Sequence, residues 1–560
     1  MALGATSVRG VPAKSELQPK NRVLTALEEE MKRSVEGLKA KGDPAPYFIS
    51  YCVTEREGVE LSTSRGALRL RSSNRTRVLE VDVRVGDYGF DNTRRMRGEH
   101  DGGGGRGHSR LIRLPLEDDD VAIRQAIWLE TDRSYKQAVE SYIRVKANAE
   151  LKTKEEDESA DFSKETPERY EGPVPPFSVD VDAWEKTLKD VSKTFRAYPL
   201  VYEADAALSA ERVRRYFVSS AGAVISDASV DARIFLLGQT KAEDGQDLFR
   251  FESFEAHSPE HLPDRAALTA AAESISKDLL ALRQAPLIEP YTGPAILSGR
   301  AAGVFFHEIF GHRIEGHRQK GEEEGQTFTK KINTAVLPDF LTVLDDPTRE
   351  KLAGTDLNGF YLYDDEGVKA RKVAVVESGI LKTFLMSRTP VPGFDHSNGH
   401  GRRQVGFNPV GRQGNLIVET SAGVPEAKLR SLLIEECKKQ GKPFGLLFSD
   451  ISGGFTLTSR SAPQAYQVNP VMVYRVYTDG RPDELVRGAD LIGTPLVSFS
   501  KILAAGDKPA VFNGHCGAES GWVPVSAVSP SILTAQIEIQ KQEKSSDRPP
   551  LLPPPPEEKP

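Results

Sequence analysis

The sequence predicts an α+β chain: an N-terminal α/β domain followed by a β-rich C-terminal domain that carries one short apolar helix. In the first half, helical periodicity alternates with stretches of strict period-two patterning. At Glu289-Pro-Tyr-Thr-Gly-Pro the texture changes to brief β-type runs broken by Gly and Pro. The length, 560 residues, exceeds what one hydrophobic core organises, so two or three domains are expected.

The first twenty residues are polar, contain Pro and are expected to be loose. Leu24, Leu27, Met31, Val35 and Leu38 recur at helical spacing and predict an amphipathic helix. Tyr47–Thr54 reads as a strand, and Val59–Ser64, Ala67–Ser72 and Val78–Val85 alternate apolar with polar residues. A helix followed by such a meander implies a sheet covered on one face. Gly102 to Gly105 mark a loop; no Lys-Ser/Thr follows them, so they do not form a phosphate-binding loop. Asp120 to Lys152 is helical by its spacing of Ile123, Ile127, Ala138, Tyr142 and Val145. The charged, Pro-containing stretch 153–176 is expected to run over the surface. Strands follow near Tyr198–Ala204, Val213–Val218 and Ala232–Gln239, then a helix from Pro263 to Arg283.

A boundary near residue 290 separates an N-terminal domain, 21–290, from a β-rich domain, 291–540. Strands of the second domain are expected at Lys372–Val376, Leu416–Glu419, Pro443–Phe448, Gln467–Val476 and Thr534–Gln540. Residues 541–560 are charged and then Pro-rich, the composition of a disordered or polyproline tail.

Composition narrows the function classes. Hydrophobic residues make up 38% and charged residues 28%, with a net charge of -7, as in an ordinary globular protein. No basic stripe is present for nucleic acid, and no apolar run is long enough to span a membrane. The N-terminus lacks the apolar core of a secretory signal. Three cysteines, Cys52, Cys437 and Cys516, are too few for a disulfide framework and suit a reducing compartment, so a cytoplasmic location is expected. Cys52 in a strand and Cys437 in an amphipathic helix read as packing residues.

The chemistry concentrates in Ala301-Ala-Gly-Val-Phe-Phe-His-Glu-Ile-Phe-Gly-His. This apolar stretch sets His307, Glu308 and His312 inside a buried surface, and an unpartnered carboxylate there is costly unless a cation offsets it. The two histidines are five residues apart rather than the four of the familiar zinc helix. At roughly 100° per residue they would diverge by about 140° on a regular helix. A single wide turn of the π-bulge kind, eased by Gly311, would bring them together. Far downstream, Asn513-Gly-His-Cys-Gly offers a soft ligand, Cys516, and two histidines with one thiolate leave a fourth zinc position open for water.

His307-Glu-Ile-Phe-Gly-His-Arg-Ile-Glu-Gly, Asp364-Asp-Glu-Gly-Val, Leu485-Val-Arg-Gly-Ala, Cys516-Gly and Val523-Pro-Val-Ser-Ala-Val-Ser-Pro-Ser-Ile-Leu resemble, in this order, the motifs of the TldD/PmbA family of peptidases over residues 290 to 540. That resemblance implies a zinc-dependent peptidase with one Zn2+ per chain. His307, His312 and Cys516 would be the metal ligands and Glu308 the general base. It also implies small or unfolded polypeptide substrates and a homodimer, or a heterodimer with a related chain, that encloses the site. The family pairs active chains with relatives lacking the metal residues, so a non-catalytic, peptide-binding partner subunit is the competing class; a zinc hydrolase of non-peptide amides is a third. Retention of both histidines, the Glu and the Cys favours the enzyme.

The chain departs from the family pattern at His317, where an acidic residue is expected after Glu-Gly. His317 is a spectator on the helix end, an aid to substrate binding or a competing ligand, and His515 competes with Cys516; thiolate is the better match for zinc. Asp395-His-Ser-Asn-Gly-His-Gly-Arg-Arg reads first as a mobile loop and second as a substrate contact. Arg460 would pair with a neighbouring acid or with a substrate carboxylate. No Gly-x-Ser-x-Gly elbow supports serine catalysis.

Overall fold

The computed structural model describes residues 21–94, 110–150, 157–320, 327–456, 458, 466–493, 495–542 and 547–555. The expected loop at Gly102–Gly105 and Arg460 lie outside them. Helix α1, Arg22–Lys41, begins where the Asn21 side chain accepts the Leu24 N–H at 3.2 Å. It buries Val23, Leu24, Leu27 and Met31, the stripe that its periodicity marks.

The four short strands expected next are two long ones, β1 (Pro46–Ser64) and β2 (Ala67–Val85). They pair antiparallel along almost their whole length and turn at Arg65-Gly66, where φ is +49° and +82°. Such a two-residue hairpin turn needs positive φ at both positions, which glycine adopts without strain. The polar residues Glu55–Gly58 look like a break in sequence; paired to β2 on one side and β3 on the other, they are ordinary central strand.

Helix α2 (Asp120–Glu150) matches its expectation, whereas α3 (Val181–Lys193), capped by Asp180, is additional. Strand β3 (Glu203–Ser219) starts only at the end of the Tyr198–Ala204 run, because residues 198–202 are irregular. β4 (Val224–Lys241), β5 (Asp247–Ala256) and helix α4 (Arg265–Gln284) complete this half. The sheet order is β2-β1-β3-β4, with β5 on β4 and the short pieces Ile112–Arg113 and Arg169–Glu171 on β2 and β4. One face of this sheet is covered: α1 and α2 pack over one end and α3 and α4 over the other. Within 153–176 the described residues do not simply run over the surface. Phe162 is buried between the guanidiniums of Arg84 and Arg388, 3.7 and 3.8 Å from its ring centre.

The second half builds one twelve-stranded sheet among the described residues. Its strands include β6 (Tyr291–Leu297), β7 (Leu341–Asp345), β8 (Val373–Glu377), β9 (Asn415–Thr420), β10 (Phe444–Thr456), β11 (Tyr466–Tyr477), β12 (Ala489–Gly493), β13 (Ile502–Ala518) and β14 (Gly521–Lys541). Hydrogen bonds run β6-β10-β11-β12-β14 and return from β14 to β6, so five strands close a circuit. From β14 the sheet continues outward through β9, β7 and β8, and β13 pairs with β14 as a long hairpin. Helix α5 (Gly299–Ile309) lies directly on this sheet; a Cβ at Gly303 would stand 2.8 Å from the Ala527 carbonyl oxygen of β14. Glycine is what allows that approach. A second helix, α6 (Glu426–Lys439), buries Leu429, Leu433 and Cys437 against the sheet.

Candidate metal centre

The HExxxH segment does not form one helix with a wide turn. α5 ends at Ile309, and Gly311–Arg313 form a separate 3-10 turn, with Arg313 N bonded to the Phe310 carbonyl at 3.0 Å and Ile314 N to that of Gly311 at 3.2 Å. Tightening, not widening, therefore reconciles the five-residue spacing. The break lies where Gly311 meets the buried amide of Gln413: a Cβ at Gly311 would stand 1.9 Å from Gln413 Oε1.

His307 thus ends the helix, His312 sits on the turn beyond it, and their ring centres are 5.2 Å apart. Cys516 arrives from the far end of the chain, near the tip of the β13–β14 hairpin. One donor atom each from His307, His312 and Cys516 lie within 4.8 Å of one another, and all three residues are 6% exposed. Cys516 Sγ is 3.3 Å from His312 Nε2. Glu308 points to the same place, with Oε2 3.9 Å from His312 Nε2.

Strand alternation settles the position of His515. Cys516 packs inward with Val523 and Val525 of β14, so its neighbour His515 faces out and is exposed. His317 does not join the three donors either. Its Nε2 pairs with Glu519 Oε1, and burial pushes its pKa down to about 4. It belongs to a separate group with Glu315 and Glu519, in which Arg318 contacts both carboxylates at 2.9 and 3.0 Å.

The electrostatics favour a thiolate facing imidazolium in spite of burial, a pairing that a metal ion would replace by taking the place of the imidazolium protons. Burial opposes the Cys516 thiolate, but His312 and His307 together hold its pKa well below the usual thiol range. Burial likewise opposes a charged His312, yet Cys516 and Glu315 raise its pKa well above that of free imidazole. His307 shifts in the same direction, chiefly through Cys516 against burial. Glu315, fully buried, faces His312 Nδ1 at 3.2 Å and fixes Nε2 as the nitrogen turned toward Cys516. Its role was not legible beyond its place in the Ile-Glu-Gly run, and Arg412 and Gln413 carried no signal but a Gly-flanked, turn-like context.

The remaining motif residues are structural. His400, expected on a mobile loop, is completely buried, with Nε2 3.2 Å from Asp345 Oδ1, and Arg402 donates to the Gln413 carbonyl at 2.6 Å. Asp395 and His396 at the start of that loop are open to solvent. In the acidic turn, Asp364 accepts the N–H groups of Glu366, Val368 and Gly401. Asp365 pairs with Arg215 of β3 at 2.8 Å, tying the two sheets together.

Residues 290–541 match the family model described as the PmbA/TldA metallopeptidase C-terminal domain. A metalloprotease of Archaeoglobus fulgidus is 31% identical over 239 residues, which cover 42% of this chain and 51% of that protein. A zinc metalloprotease TldD homolog of Saccharolobus solfataricus is 33% identical over 251 residues, 44% of this chain and 51% of the homolog. The chain therefore matches about half the length of these relatives. TldE of Thermococcus kodakarensis superposes with a TM-score of 0.61 at 14% identity, covering 92% of this chain and 100% of TldE, a likeness of fold. No helix among the described residues is long and apolar enough to cross a membrane. The C-terminal part of the chain thus matches the PmbA/TldA metallopeptidase C-terminal domain, and its strand-rich fold is shared with TldE over nearly the whole chain.

Proposed function

We propose that this chain is a zinc-dependent peptidase whose metal is held by His307, His312 and Cys516 and whose general base is Glu308. The observation that carries this reading is the convergence of two buried imidazoles and one buried thiol, drawn from elements 204 residues apart, with a carboxylate beside them. The donor set fits zinc: it is the soft, three-ligand set of a catalytic site with one position left open. Nδ1 of His307 is buried without a hydrogen-bond partner among the described residues, and bringing a cation to the cluster would relieve the cost of burying such donors.

Zinc, when bound, supplies Lewis acidity that brings a water molecule's pKa to about 7 and polarises a carbonyl. The protein's own groups do the rest. Glu308, next in chain to one ligand and 3.9 Å from another, accepts the proton of the attacking water. Water oxygen adds to the carbonyl carbon, the C–N bond breaks, and Glu308 returns the proton to the leaving amine. Apolar walls from α5 and β14 limit competing solvent.

We further propose that the substrate is an extended small or unfolded polypeptide, recognised through its main chain along a sheet edge with loose sequence preference. Assembly with a second copy or a related chain would enclose the site. The three free cysteines fit a reducing, cytoplasmic setting.

Metal analysis of the purified chain should find about one zinc, the stoichiometry of a three-ligand catalytic site. Glu308→Gln should retain that zinc and lose cleavage of a peptide library by roughly 100-fold or more. Protein that never binds zinc would remove the peptidase reading, and unchanged turnover in Glu308→Gln would remove Glu308 from its role.

A further inference from the structure

Two adjacent residues outside the proposed reaction, Arg412 and Gln413, reach both halves of the centre. Arg412 is completely buried. Its Nη2 donates to the Cys516 carbonyl at 2.8 Å, and its Nη1 donates to Ser520 Oγ at 2.8 Å and to the Gly521 carbonyl at 3.1 Å. Its Nε faces Glu315 Oε1 at 3.3 Å, while the other oxygen of Glu315 faces His312 Nδ1 at 3.2 Å. Gln413 Nε2 approaches the His307 carbonyl at 3.4 Å, and its amide fills the notch at Gly311. The dipeptide thus touches the backbone or the hydrogen-bond partner of every proposed ligand.

That arrangement answers a geometric need. His312 lies on a turn after α5 and Cys516 near a hairpin tip, 204 positions apart in the chain, so no local structure sets their separation. A planar guanidinium can bond to both sides at once and hold a fixed spacing between them. Burying it is worthwhile only when its charge and donors are met: Cys516, Ser520 and Gly521 accept from its two Nη groups, and Glu315 faces its Nε as an ion pair at 3.3 Å without a hydrogen bond.

We infer that Arg412, seconded by Gln413, is a positioning residue that sets the separation of His312 and Cys516 and so pre-arranges the three donors for the metal. This rests on the zinc reading above. It assigns Arg412 no contact with substrate and no part in proton transfer.

The test uses the full chain and cobalt(II), whose absorption reports both coordination geometry and thiolate ligation. Wild type is expected to bind cobalt with a thiolate-to-metal charge-transfer band. Arg412→Gln should remain folded by circular dichroism, bind cobalt roughly 10- to 100-fold more weakly, and lose intensity in that band, as loss of a ligand's supporting contact does elsewhere. Arg412→Lys, which keeps the charge but not the fork, should regain part of the affinity and little of the band. Glu315→Gln, which breaks the link on the His312 side, should weaken cobalt binding to a similar extent and decides the matter if Arg412→Gln fails to fold. Folded variants with wild-type affinity and wild-type spectrum would overturn the positioning role while leaving the zinc reading intact. A wild-type chain with no thiolate band would overturn both.

Discussion

Gly311→Ala probes how closely the centre is assembled. The new methyl would sit 1.9 Å from Gln413 Oε1 and 2.2 Å from its Cδ, whereas ordinary contact begins at 3.4 Å. Something must move by about 1.5 Å, and Gln413, 1% exposed and bonded toward His307, cannot swing into solvent. Overpacking of this kind costs roughly 1–3 kcal/mol, and displacing the Gln413 contact adds about 1 kcal/mol. Gly311 lies outside the positive-φ region, so alanine also stiffens the unfolded chain and recovers about 0.4–1 kcal/mol. The net expectation is a loss of about 1–3.5 kcal/mol, read from urea unfolding midpoints, together with weaker zinc binding as the turn carrying His312 shifts. In a double-mutant cycle, Gln413→Ala should relieve the clash and give a coupling of at least about 1 kcal/mol. A Gly311→Ala protein with wild-type stability and zinc affinity, or strictly additive variants, would refute the account of the helix break.

Cys516→Ala should weaken zinc binding far more than His515→Ala, because strand alternation turns only the cysteine inward; equal losses measured by competition with a chelator would contradict the ligand set. His317→Ala should likewise leave zinc bound, since its ring is engaged with Glu519. A pH effect should come from the acidic turn. Burial, then the neighbouring Glu366, pushes Asp364 up to about 8, and burial pushes Glu366 up to about 7 against the Arg388 N–H and the charges of Arg388 and Arg84. The folded state then keeps protons that the unfolded chain releases near pH 4, so this pair makes stability fall as pH rises from about 4 toward 8. Asp364→Asn should flatten that slope in unfolding midpoints taken at pH 5 and pH 8, and an unchanged slope would show the pair is not its source.

Much of the architecture was legible because local patterns and burial agree. The periodicities of α1 and α2 name residues that pack on the sheet, and the alternation of Val78–Val85 matches the last stretch of β2. Reading failed where pairing overrode local composition. Glu55–Gly58 fall between the two expected strands, yet two neighbouring strands hold them extended. The Asn- and Gly-rich loop around His400 looks mobile, yet Asp345 and Gln413 take up its polar groups in the interior. Phe162 gave no hint from its charged surroundings that two arginines would clasp it.

By itself the sequence determined which chemistry was available: two histidines and a glutamate within six residues, a cysteine beside a histidine far downstream, and an order of motifs shared with one family. Tertiary structure decided which of those groups meet. Whether His307 and His312 face one another depends on a helix ending against Gln413, and whether Cys516 or His515 joins them depends on the register of one hairpin. Glu315 and Arg412 matter only because the fold removes them from water and sets each against a partner. These are consequences of long-range packing and hydrogen bonding between elements up to 204 residues apart, which local propensity does not encode.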